Sequence, residues 1–140
     1  RQGRPLNDDM RWPWLDALCR AAIETHATHT DEQPVFIACS ALKRRYRDFM
    51  RDRLGSFPII FLDGTRDLIV GRMDARQGHF MPSRLLDSQF NDLEPPGPDE
   101  DSLTVPIEAP IDAVTEIACR ALIERPDRPD ADKTSRPSAN

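Results

Sequence analysis

The strongest constraint in this sequence is an alternation: three short apolar runs rich in strand formers are separated by longer stretches with apolar residues at helical spacing. The runs are Pro34-Val35-Phe36-Ile37-Ala38-Cys39, Pro58 to Leu62, and Leu103 to Ile107. A continuous apolar run of this kind fits a strand covered on both faces, and such strands belong to parallel sheets. Helices are expected over about Asp9 to Thr25, Ala41 to Leu54, Asp67 to Gln77 and Ile111 to Glu124, with one more from Pro82 to the Glu94-Pro95-Pro96-Gly97-Pro98 break. The alternation predicts an α/β fold, a mostly parallel sheet with helices on both faces. Pro106 suits the third run only at a strand end or edge, because proline cannot donate to a ladder.

The length of 140 residues suggests one domain, expected over residues 1–125. From Pro126 to Asn140 nothing apolar is larger than Ala, and this stretch is expected to be a disordered tail. A net charge of −5 argues against a general nucleic-acid binder, although Lys43-Arg44-Arg45-Tyr46-Arg47 is a local basic cluster suited to a small anion. No apolar run approaches the roughly 20 residues of a membrane span, and no secretory signal opens the chain. Cys19, Cys39 and Cys119 are an odd number with wide spacing, which reads as buried free thiols in a reducing cytoplasm.

Several polar residues stand where chemistry could occur. Arg72 and Arg76 lie four apart on an expected helix, just before Gly78-His79, so two guanidiniums could share one face beside a hinge; a solvated basic face explains the spacing equally well. Cys39-Ser40-Ala41-Leu42-Lys43 follows the first expected strand, where open parallel sheets place their ligand crevice. Ser40, helix N–H groups and Lys43 could converge there on an anion, the alternative being that Ser40 is an N-cap and Lys43 a surface residue. Asp8 and Asp9 read as capping and dipole partners at a helix start. His26 and His29 have no third ligand at suitable spacing and are treated as loop residues, so no metal site is assigned.

Four blocks carry a resemblance: Pro5-Leu6-Asn7-Asp8-Asp9-Met10-Arg11-Trp12-Pro13-Trp14-Leu15; Cys39-Ser40-Ala41-Leu42-Lys43 with Tyr46-Arg47-Asp48; Arg72-Met73-Asp74-Ala75-Arg76-Gln77-Gly78-His79-Phe80-Met81; and Ser88-Gln89-Phe90 to Leu93-Glu94. In their order and separations they resemble the gluconokinase family over Gly3 to about Glu124. The resemblance implies a P-loop fold similar to shikimate and nucleoside-monophosphate kinases, ATP with Mg²⁺ as donor, and the 6-hydroxyl of D-gluconate as acceptor. It implies a lid carrying Arg72 and Arg76, with Gly78 and His79 at its hinge and Arg76 acting on the transferring phosphoryl group. Arg11 stands where a substrate-carboxylate arginine is found in shikimate kinase, and Ser40, Lys43 and Gln89 resemble contacts to the sugar acid. Arg47 either serves that pocket or holds its helix. The family usually has a third aspartate where this chain has Met10. A homodimer is left open, and neither nucleic acid nor membrane is expected as a partner.

One element of such a kinase is missing from these residues. A phosphate-binding Gly-x-x-x-x-Gly-Lys-Ser/Thr needs a lysine after glycine, and the two lysines, Lys43 and Lys133, follow Leu42 and Asp132. The family's Asp-Gly-Asp segment is absent too. With Arg as first residue, the expectation is a chain truncated at its N-terminal strand, loop and helix, poorly folded and inactive alone. The competing reading is a non-catalytic remnant that binds a sugar acid or a partner protein; another small-acid kinase, such as shikimate kinase, ranks below both.

Overall fold

In a computed structural model, residues 7–29, 33–76 and 83–125 are described, and they form five α-helices, a short 3₁₀ turn and two strands. Helix α1 runs Asp8–Thr28, α2 Arg44–Leu54, α3 Arg66–Ala75, α4 Ser83–Asp92 and α5 Ile111–Glu124; strand β1 is Ile59–Asp63 and β2 is Ser102–Pro106. All five expected helices are present. The tail expected from Pro126 to Asn140 lies outside the described residues.

Local chemistry sets most boundaries. Asn7 caps α1 by accepting a hydrogen bond from the Met10 N–H at 3.0 Å, and Asp8 and Asp9 place negative charge in the first turn. Pro13 lies inside this helix and removes one of its ladder bonds, yet the helix continues to Thr28, three residues beyond expectation. His26 therefore belongs to the last turn and His29 is the C-cap, which corrects their reading as loop residues. Helix α2 ends at Gly55, whose φ of +77° is a conformation that side-chain-bearing residues avoid. Thr65 caps α3 through the Leu68 N–H.

β1 and β2 pair in parallel, Ile59 opposite Ser102 and Asp63 opposite Pro106. The connection between them carries α3 and α4, the crossover that parallel neighbours require. Pro106 takes the last position of its strand, where its missing N–H breaks no ladder. The first apolar run behaves differently. Residues 34–40 form no strand, and Phe36 is 70% exposed, which corrects the expectation of a strand buried on both faces. An apolar run becomes a strand only when a neighbour takes its N–H and C=O groups, and among the described residues none lies beside it.

The core sits between α1 and α2, where Leu15, Cys19, Tyr46 and Met50 are buried and Trp12, Ile37, Cys39 and Phe49 pack against them. Trp12 meets Tyr46 edge-on at 5.6 Å and Phe49 at 5.1 Å between ring centroids. Helix α5 packs on β2. Cys19 is buried and Cys39 half-buried, but Cys119 is exposed on α5, so the expectation of three buried thiols holds for only part of the set; all three are free. Among the described residues, no helix is long and apolar enough to cross a membrane.

Candidate active site

Two of the four sequence blocks meet at the N-terminal ends of α1 and α2. Arg11, in the second turn of α1, lies with its guanidinium carbon 4.7 Å from the centroid of the Tyr46 ring, a cation–π distance. The Tyr46 hydroxyl donates to Asp8 Oδ1 at 2.7 Å, and Arg45 pairs with the same carboxylate. The Tyr46 bond, which outweighs the opposing effect of burial, holds Asp8 below the usual carboxylate range, with smaller help from Arg45 and then Lys43. Cys39 stands close enough to Arg11 to feel its charge. Burial pushes the Cys39 thiol up, and Arg11 opposes the rise.

The segment Ser40–Lys43 bridges the core and α2. Its turn is closed by the Leu42 N–H donating to the Ser40 carbonyl at 2.9 Å. Ser40 is exposed and does not cap α2; Lys43 is the N-cap residue, without a side-chain cap bond, which corrects the N-cap alternative for Ser40. Beyond α4, the Glu94 N–H donates to the Leu42 carbonyl at 2.7 Å while the Glu94 carboxylate accepts from the Arg44 N–H at 3.2 Å. The fourth block is thereby joined to the second, with half-buried Gln89 on the helix that delivers Glu94.

Beneath this loop lies a buried ion pair that sequence reasoning missed. Arg47 and Glu100 are each 3% exposed. Arg47 Nε donates to Glu100 Oε1 at 2.7 Å and Nη2 to Oε2 at 3.1 Å, the bidentate geometry of a strong pair. The remaining nitrogen, Nη1, donates to the carbonyls of Ala41 at 2.9 Å and Leu42 at 3.2 Å. Arg51 and the Gly97 N–H also donate to Glu100. These donors, Arg47 foremost, hold its carboxyl at about 2 despite burial. No local signal marks Glu100, because its partner is distant in sequence.

Arg72 and Arg76, the two arginines expected in a lid, belong to α3 and its C-terminal end. Arg72, on α3, donates from Nη2 to the Ala109 carbonyl at 2.7 Å, just ahead of α5. Helix α3 ends at Ala75, two residues earlier than expected, and Arg76 is its exposed C-cap with extended backbone rather than a helical neighbour of Arg72. Gly78 and His79 lie outside the described residues. Among the described residues, no three His, Cys, Asp or Glu side chains gather as a metal would require.

No protein-family model matches the chain. It is 36% identical over 138 residues to a probable gluconokinase of Mus musculus, a match taking in 86% of this chain and 73% of that protein. The chain belongs to the gluconokinase family. Its likeness to the thermoresistant gluconokinase of Escherichia coli (strain K12) is 44% over 113 residues, covering 80% of this chain. The chain spans 63% of that protein's length. Among solved structures, a gluconokinase from Sinorhizobium meliloti 1021 superposes with a TM-score of 0.72 at 39% identity, over 87% of this chain and 66% of that one. The gluconokinase fold, α/β with a parallel sheet, is therefore the fold of this chain as well.

Proposed function

We propose that the protein to which these residues belong transfers the γ-phosphate of ATP to the 6-hydroxyl of D-gluconate, yielding 6-phospho-D-gluconate. The observation that carries this reading is the meeting of Arg11, the Ser40–Lys43 loop and the α4 end at Glu94 in one region of a gluconokinase-family chain. Arg11 takes the sugar-acid carboxylate, matching a fixed cation to an anionic end group. Ser40, Lys43 and Gln89 take hydroxyls of the same molecule. Arg72 and Arg76 close over the nucleotide, and Arg76 stabilises charge on the transferring phosphoryl group, where positioning and electrostatics supply most of the catalysis.

Mg²⁺ would accompany the nucleotide and offset charge on its phosphates. These 140 residues hold no Gly-x-x-x-x-Gly-Lys-Ser/Thr, the loop whose backbone N–H groups and lysine would cradle the nucleotide phosphates. Unpaired cysteines suit a cytoplasmic setting.

The test is direct. The complete gene product, given ATP, Mg²⁺ and D-gluconate, should form 6-phosphogluconate, and the 140-residue chain should not. A complete product that phosphorylates shikimate but not gluconate refutes the substrate assignment. One that binds gluconate without turnover supports the remnant reading instead.

A further inference from the structure

We propose that Arg47 and Glu100 are positioning residues for the sugar-acid loop: the buried pair fixes where the Ala41 and Leu42 carbonyls lie, and so where Ser40 and Lys43 present themselves to substrate. The inference rests on the reading of Ser40 and Lys43 as substrate contacts given above.

Arg47 reaches Glu100 through Nε and Nη2 and spends its third nitrogen on the two loop carbonyls, so its hydrogen-bonding face is fully engaged within the protein. A planar guanidinium gripped on one edge by a carboxylate has a fixed orientation, and its opposite edge is then a rigid donor for the loop. Glu100 is fixed in turn by Arg51 at 2.9 Å and the Gly97 N–H at 2.8 Å, just ahead of β2. The Leu42 carbonyl also accepts from the Glu94 N–H, so the loop is held from two sides, by α2 and by the chain leaving α4. A lysine at 47 could meet Glu100 but could not span the carboxylate and both carbonyls.

Stability and positioning separate in the double variant Arg47→Met with Glu100→Leu. Replacing both members of a buried ion pair by apolar residues is often neutral or stabilising, whereas it takes the Arg47 donor from the Ala41 carbonyl and leaves the Leu42 carbonyl with the Glu94 N–H. The measurement uses the complete gene product: melting temperature, hydrogen exchange of the peptide spanning residues 40–44, and KM for gluconate and for ATP. The expected result is a melting temperature close to wild type, faster exchange in the loop, a gluconate KM raised roughly tenfold, and an ATP KM little changed, since small displacements of positioning groups carry effects of this order. Arg47→Lys, a milder change, should show the same split in smaller measure and covers the case in which the double variant does not fold. Wild-type gluconate KM in a folded variant overturns the inference, as does an equal rise in both KM values. A wild-type protein that leaves gluconate untouched instead overturns the substrate reading on which it rests.

Discussion

The Tyr46 phenol donates a 2.7 Å hydrogen bond to Asp8 Oδ1, joining the first turn of α2 to the first turn of α1. The same ring lies under the Arg11 guanidinium, so one side chain fixes both an acidic and a basic neighbour.

Removing the hydroxyl and removing the ring should have different effects. Tyr46→Phe keeps the surface beneath Arg11 but deletes the largest influence on Asp8, whose carboxyl pKa should rise toward its ordinary value in an NMR titration. Tyr46→Leu also takes away the cation–π contact, worth roughly 0.5–2 kcal/mol, and should raise the gluconate KM more than Tyr46→Phe does.

Acid should expose the Glu100 pair. Its carboxyl titrates at about 2 in the folded protein, against 4.5 ordinarily, so between these values the unfolded chain binds more protons than the folded one. The stability it contributes is complete above about pH 4.5 and is lost as pH falls toward 2, amounting to about 3 kcal/mol by linkage. Asp8, Asp16 and Asp99 are lowered as well and act in the same direction. Denaturant titrations from pH 2 to pH 6 should show this slope in wild type and a flatter one in Glu100→Gln, which should also be less stable at neutral pH because Arg47 loses its partner.

Leu15 is fully buried between α1 and α2 beside Cys19, Tyr46 and Met50. Leu15→Ala should cost about 2–5 kcal/mol in equilibrium unfolding, the range for cavity-forming changes in packed cores.

Arg72 and Arg76 should separate by their dependence on structure. Arg72→Ala loses the bond to the Ala109 carbonyl and should lower stability by about 1 kcal/mol. Exposed Arg76→Ala should leave unfolding unchanged while reducing kcat or raising the ATP KM, and Arg11→Ala should raise the gluconate KM instead.

What could be read from sequence was what neighbouring residues encode. Helical spacing located all five helices, Gly55 marked the end of α2, and the two later apolar runs became β1 and β2 with Pro106 at a strand end. The order of four residue blocks was enough to indicate the gluconokinase family, because such blocks survive as local patterns. Arg11, Ser40, Lys43 and Gln89 could be named as candidates for the same reason, but their mutual arrangement could not.

Tertiary structure alone decided which distant residues meet. The partner of Arg47 is Glu100, which reaches it from the turn before β2 and fixes its guanidinium against the Ala41 and Leu42 carbonyls. The run Pro34–Cys39 has the composition of a buried strand but no ladder among the described residues, since strand formation depends on a neighbour as much as on the residues themselves. Spacing along the chain records each element's own preferences; pairing and burial depend on what the rest of the fold brings alongside.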